Sequence, residues 1–550
     1  MIKKLSFLLL FISLCFAGLN RPTWDQELNY IHVLFEWDQE PDADYYHVMV
    51  DTLNNDTFGN PLLYDSTNTT LYLDTVTIDW QTTYYWTVRV VRIDGSMGEW
   101  IDAGRFSTIE AKYGELDVTI YQDQEIQKGL TLHSGNQKAI AFNKFGKEVW
   151  NYHNFPWMVL FIDEYGVIFG FRNFNDPNAA LIKINFGLEI LWDLPNELAN
   201  MHEFKPMPNG NYMGMLQVNR LGPIPSDIAY TQSFRDLGFA ADDTTAEFPW
   251  QGQKIVEWNE DREVVWSWNP FDHYTMEDYD EIGFTWPNAY NQLFYQWNHS
   301  NAFFYDQAES VIYLSVRHLS RISKISYPSG EVIWNMGLPE PYMSTGAESI
   351  CSDLLFSFQH HIQLLDNGHL LFFDNGNLSY MFGDSNPTSR IRRIRVIDDS
   401  YCETIWEYEL PQNLHGLGMG SVQLLENGNY SIYTFGSGLD QGECSILEVT
   451  SEGNMVWKVT SENPNAAWYR SYQIPSIHPD AFSVLVDGYT SNNSENIIEI
   501  YGNSLNFTIH NKSGYAQPYR YMLSDLIDGG PPMFNYQEEE IHLGPYESIN

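Results

Sequence analysis

One short unit ending in tryptophan recurs six times and constrains the fold more than any other feature of this chain. It reads Phe-Gly-Lys-Glu-Val-Trp150, Phe-Gly-Leu-Glu-Ile-Leu-Trp192, Asp-Arg-Glu-Val-Val-Trp266, Ser-Gly-Glu-Val-Ile-Trp334, Tyr-Cys-Glu-Thr-Ile-Trp406 and Glu-Gly-Asn-Met-Val-Trp457. The tryptophans stand 42, 74, 68, 72 and 51 residues apart. Each unit is a tight turn followed by a β-rich run, which suits the outer strand of a four-stranded blade with the indole packed between blades. A second unit, Asn209-Gly210, Asn367-Gly368 and Asn427-Gly428, joins two apolar runs through the turn that favours a β-hairpin. The pattern predicts an all-β chain, a six-bladed β-propeller over 109–515, which explains why no clear helical periodicity appears across that span. A closing strand from near residue 120 or from 496 to 510 would complete the ring, and 516–550 reads as a C-terminal tail.

Residues 18–108 alternate apolar and polar positions in short runs, as in His32 to Trp37 and Tyr84 to Val90, and predict a small β-sandwich ahead of the propeller. They resemble a fibronectin type III module, a spacer or dimerisation unit to which no chemistry is given. Lys3-Lys4, the apolar run Leu5 to Phe16 and Ala17-Gly18 have the order of a signal peptide over 1–17, so the protein is expected to be exported, periplasmic or secreted. Of the later cysteines, Cys351, Cys402 and Cys444, at most two can pair, and neither a CxxC pair nor an HExxH helix is present. With 29 Lys+Arg against 72 Asp+Glu the chain carries a formal charge of −43, which argues against nucleic-acid or anionic-membrane partners. At 43% hydrophobic and 15% aromatic it is nonetheless a folding composition.

Propellers place the starts of their innermost strands around a central channel, so register ahead of each Asn-Gly turn locates a residue at the channel mouth. His202 and His360 each precede their Asn by seven residues, and His299 holds the same offset before Asp306. Gly420 occupies that position in the fifth unit, with His415 five residues earlier. Three imidazoles aimed at one point suit a neutral-pH acid, base or nucleophile and, with a cation, an anion site. A metal site would normally add a carboxylate ligand or close His spacing, so no metal and no cofactor are expected. Two insertions, 220–252 and 270–297, are rich in aromatic and acidic residues. The run Phe284, Trp286, Tyr290, Phe294, Tyr295 and Trp297 leads into His299 and would either receive an aromatic substrate or pack the loop onto the propeller.

Together, Trp297-Asn-His299-Ser-Asn301, Leu314-Ser-Val-Arg317-His318-Leu-Ser, Phe356-Ser-Phe-Gln359-His360, Phe372-Phe-Asp374-Asn-Gly376 and Leu132-His-Ser134 resemble bacterial arylsulfotransferases, exported enzymes that use no nucleotide donor. The resemblance implies transfer of a sulfuryl group from a phenolic sulfate ester to a phenolic acceptor by a ping-pong route through a sulfo-histidine, and a possible homodimer. It implies His299, His360 and His415 as catalytic residues, with His202, Arg317, Asn301, Arg390 and Trp297 binding substrate. The family's arginine after Asp-Asn-Gly is missing, because Asn377-Leu378-Ser379 stands there, and Arg317 or Arg390 would have to supply its charge. The alternatives are a non-catalytic ligand-binding or adhesive propeller, and a hydrolase or quinone-dependent dehydrogenase.

Overall fold

The computed structural model describes residues 18–550 apart from 54–59, 114–115, 136–137, 153–156, 173–179, 196–198, 281, 283–284, 340–348, 437–442, 462, 464–465, 493–496, 501–505 and 524–536. Residues 1–17, expected to be a signal peptide, and Phe284 lie outside the described residues. The described chain is all-β with a few short helices.

Six sheets, each built on four antiparallel strands, follow one another along the chain, and Tyr295–Gln296 adds a short parallel strand to Phe248–Trp258 in the third. The second to sixth begin with Trp157–Ile162, Ala199–Pro206, Ser300–Asp306, His360–Leu364 and Ser421–Leu424, and each then runs outward strand by strand. The first is composite. Its strands Leu130–Gly135, Lys138–Asn143 and Glu148–Tyr152 are completed on the inner side by Trp468–Ile474, so the chain's later part closes its beginning. Innermost strands contact their neighbours from sheet to sheet, and Trp468–Ile474 touches those of both the second and the sixth. The closing strand is therefore 468–474 and neither stretch expected from the sequence. Asp117–Tyr121 instead adds a fifth strand outside the sixth sheet, and Ile497–Ile500 pairs with Tyr489–Asn492. Trp468–Ile474 is buried at every position, as an inner strand requires, whereas Asp117–Tyr121 and Asn506–Asn511 are partly exposed.

The recurring tryptophans lie on the fourth strand of their sheets counted from the inside, and their indole N–H groups form a cycle. Trp150 donates to Phe186 O, Trp192 to Glu260 O and Trp266 to Pro328 O. Trp334 donates to Asp399 Oδ1, Trp406 to Ser451 O and Trp457 to Lys144 O, which returns to the first sheet. Every acceptor sits in the turn before the last strand of the next sheet, so one side chain both fills the gap between sheets and satisfies a turn.

Residues 19–108 form a three-stranded and a five-stranded sheet, with Val33, Phe35, Trp37, Val48, Trp86, Val88 and Phe106 buried between them. Their core is continuous with that of the first and second sheets. Ile31 N donates to Val149 O and Asn151 N to Asn29 O, pairing the outer edge of the first sheet, whose Glu148–Tyr152 strand is wholly buried. The segment read as a tail contains paired strands, Gln517–Leu523 with Gln537–Leu543, and Ser548–Ile549 joins Asn506–Asn511 and Phe482–Asp487. This last sheet rests on the sandwich through Thr70 with Ser483 and Gln39 with Val486.

Candidate functional site

The inner strands of the third, fourth and fifth sheets begin irregularly. Pairing slips between Ala199 and Phe204, between Ser300 and Ala302 and between His360 and Gln363, and such bulges turn a side chain away from the ladder direction. His299, immediately before its strand, takes φ +46°, a left-handed conformation that sets its ring toward the axis side of the slip. The outcome is a cluster. The His202 and His299 ring centroids are 4.6 Å apart, and those of His299 and His318 are 4.5 Å apart. His360 lies close enough to act electrostatically on His299.

His318 was passed over as a site residue although the Arg317-His318 pair was visible, because it has no place in the strand-start register. It belongs to the turn between Val311–Val316 and Arg321–Ser326, which folds back on the start of the fourth sheet. There Arg317 N donates to His299 O and His318 N to Asn298 O.

Hydrogen bonds fix the same tautomer in all four rings. Nδ1–H is donated by His202 to Asn200 Oδ1, by His299 to Gln296 Oε1 (3.1 Å), by His318 to Gln296 O (2.5 Å) and by His360 to Asn375 Oδ1 (2.6 Å). The Asn375 amide is itself oriented by donating to Gly416 O and Met419 O. Each Nε2 therefore keeps its lone pair. On His318 that lone pair accepts from Arg317 Nη1 at 2.7 Å, whereas on His202, His299 and His360 it meets no donor among the described residues.

Burial decides the charge state. It pushes His202 down to about 3, helped by the Arg470 and Arg317 charges, and holds His299, His318 and His360 well below the ordinary imidazole range. The site thus presents neutral imidazoles, and the fixed positive charge comes from arginine. Arg317, lowered to about 10 by burial with Asp280 opposing, lies over the Phe358 ring at 4.9 Å. Farther along the axis, Arg470 donates to Glu203 Oε1 (2.8 Å), and Lys205 lies 3.5 Å from the other Glu203 oxygen. Two buried cations share one carboxylate there, so the interior of this acidic protein is locally positive.

The remaining expected residues are placed elsewhere. Asn301 is fully buried and donates to Gln359 O at 2.8 Å, bridging the fourth and fifth sheets. His415 bonds the Asn375 backbone, its Nε2 is buried without a partner among the described residues, and Asn375 links it to His360. Arg390 is engaged by Asp384, Glu407 and Glu409 on the fifth sheet. Trp297 is fully buried, stacks on Phe271 at 4.8 Å and donates to Asp278 O. The aromatics of both insertions pack on one another, with Trp286 on Tyr295 at 4.0 Å and Phe234 against Phe248 and Tyr290, so the described rings build the loop's own core. Among the described residues no three His, Cys, Asp or Glu side chains group so as to hold a metal ion.

Comparison with known proteins gives one family model, described as arylsulfotransferase (ASST), which matches residues 240–470. No curated protein matches the chain. Among solved structures, the chain is similar to Hsv2 of Kluyveromyces lactis at 8% identity, covering 74% of this chain and 95% of that one with a TM-score of 0.25. It is similar to hydrazine synthase of Kuenenia stuttgartiensis at 10% identity, covering 57% and 80% with a TM-score of 0.29. A dihydro-heme d1 dehydrogenase, NirN, aligns at 8% identity over 73% and 77% with a TM-score of 0.26.

Proposed function

We propose that the chain transfers a sulfuryl group between phenols at the histidine cluster, by a ping-pong route through a sulfo-histidine, a reading supported by the match of residues 240–470 to the arylsulfotransferase family model. The carrying observation is the convergence of four neutral imidazoles in one tautomer beside the half-buried Arg317. A nucleophile needs an unprotonated, partner-free nitrogen, and His299 Nε2 is one on the ring that is only half-buried, whereas His202, His318 and His360 are buried. In the first half-reaction that nitrogen forms the N–S bond as the aryl O–S bond breaks. Charge then gathers on the leaving oxygen and the sulfuryl oxygens, opposite the fixed Arg317 guanidinium in a site largely closed to water.

A bound sulfate monoanion favours protonation of a neighbouring imidazole, and His360 is assigned as that acid. It gives its Nε2 proton to the leaving phenolate and, in the second half-reaction, takes the proton of the accepting phenol as the S–N bond breaks. Arg317, oriented by donating to His318 Nε2, holds the sulfuryl oxygens and stands for the arginine missing at Asn377. His415, Arg390 and Trp297 have no direct part. Six sheets linked by six tryptophan hydrogen bonds support a six-bladed propeller, with the fibronectin-like sandwich as a spacer. The Cys351–Cys402 disulfide and the leader-like Lys3 to Gly18 support export.

The test incubates purified protein with 4-nitrophenyl sulfate, with and without phenol, and maps peptides for a sulfated histidine. Phenol-dependent nitrophenol release with the label on His299, and loss of both in His299→Ala by roughly 10²-fold or more, is the expected result. Release without phenol would make the protein a hydrolase. Neither release nor label across a panel of phenolic sulfates would leave a binding propeller.

A further inference from the structure

The slipped strand starts that aim His202 and His299 also take the carbonyls of His202 and Asn301 out of the sheet ladders. Buried carbonyls need donors, and these two share theirs. Tyr469 Oη donates to His202 O at 3.1 Å and to Asn301 O at 3.2 Å. Arg470 Nη2 donates to the same pair at 3.1 and 3.0 Å. The other arm of the guanidinium reaches Leu160 O at 2.9 Å and Glu203 Oε1 at 2.8 Å. Both residues come from Trp468–Ile474, the strand the chain's later part lends to the first sheet, so one dipeptide crosses the axis and grips the inner strands of the second, third and fourth sheets.

We infer that Tyr469 and Arg470 are positioning residues for the histidine cluster, clamping the inner strands of the third and fourth sheets so that His202 and His299 stay in ring contact. A core hydrogen bond serving only stability would satisfy one carbonyl from one donor. Here two adjacent side chains converge on the same two carbonyls, one belonging to a cluster histidine and the other two residues beyond the nucleophile assigned above. A guanidinium suits this because its planar fork meets several oxygens at fixed angles, which a lysine cannot do. Glu203 offsets its charge within the same contact set. The inference rests on the sulfuryl-transfer reading for its catalytic consequence but not for its geometry.

The experiment uses the full chain with Tyr469→Phe, which removes one hydroxyl and keeps the ring, and Arg470→Lys, which keeps the charge and loses the fork. Two quantities are read: kcat and KM with 4-nitrophenyl sulfate and phenol, and the imidazole 15N and ring-to-ring NOE signals of His202 and His299. Misplacement of reacting groups lowers turnover more than binding, so Tyr469→Phe is expected to lose about tenfold in kcat and Arg470→Lys about 10²-fold, with KM within about twofold. The His202–His299 NOE should weaken in both. If both variants keep the wild-type ring signals, the clamp is overturned, whatever happens to their melting temperature. If the wild-type protein transfers no sulfuryl group, the functional reading fails and the ring signals alone judge the clamp.

Discussion

At the residue scale, protonation is what the fold controls most tightly. A histidine in water is part-charged near neutrality, but four rings packed together in a dry site cannot all carry a proton, and the Arg317 charge disfavours it further. Their proton affinities are depressed, so the nucleophilic form persists below the pH at which a free imidazole protonates. With 4-nitrophenyl sulfate, whose weakly basic leaving oxygen departs without an acid, kcat/KM is therefore expected to stay level as pH falls through 6.5, the ordinary imidazole value. An acid limb centred near 6.5 would mean an exposed, unperturbed nucleophile. Position in the register revealed His202, His299 and His360 from sequence. It could not reveal His318, whose place depends on a turn folding back, nor separate Arg317 from Arg390, which differ in what surrounds them rather than in type.

At the element scale, short turns carry consequences far larger than their length. Gly376 ends the Asp374-Asn375-Gly376 turn at φ +66°, and a Cβ there would sit 1.8 Å from Thr388 O. Gly376→Ala must move the turn, and with it Asn375, which holds His360 in its tautomer. We expect a stability loss of about 1–3 kcal/mol and a fall in turnover of roughly tenfold or more, measured by denaturant titration and by the transfer assay. The tryptophan cycle makes a graded prediction. Trp457, fully buried, donates to Lys144 O and takes the Lys144 ammonium over its ring at 4.5 Å, whereas the Trp266 hydrogen bond is exposed. Replacement by Phe should cost about 1–3 kcal/mol at 457 and less than about 1.5 kcal/mol at 266 by urea unfolding, because only the first leaves a buried carbonyl unpaired. Equal costs would deny the cycle its role between sheets.

At the scale of the whole molecule, the ring is closed by non-local links. Trp468–Ile474 completes the first sheet, the sandwich seals that sheet's outer edge, and the last sheet rests on the sandwich. Cys351 and Cys402, 51 residues apart, add a covalent link within the fifth sheet's region, and Cys444 remains a buried thiol. Removing the bridge as Cys351→Ser with Cys402→Ser should lower unfolding free energy by about 2–4 kcal/mol, through the freedom returned to the unfolded chain. Reductant should shift the wild-type melting temperature in the same direction and leave the double variant unmoved. A variant that melts with the wild type would show that the link constrains nothing the sheet does not already fix.

The sequence by itself determined the strand class, the count of tryptophan units, the hairpins at the Asn-Gly turns and the three histidines sharing one register, because these follow from periodicity and turn chemistry within a few residues. It also displayed motifs that resemble the arylsulfotransferase family, whose model matches residues 240–470. Tertiary structure alone decided which strand closes the ring, that 517–523 and 537–543 pair, that Trp297 is core, and that Arg317 rather than Arg390 stands beside the imidazoles. Those outcomes depend on partners far along the chain. Only once distant strands are assembled do burial and neighbouring charge exist, and these two determine which histidines are neutral and which arginine is free to meet an anion.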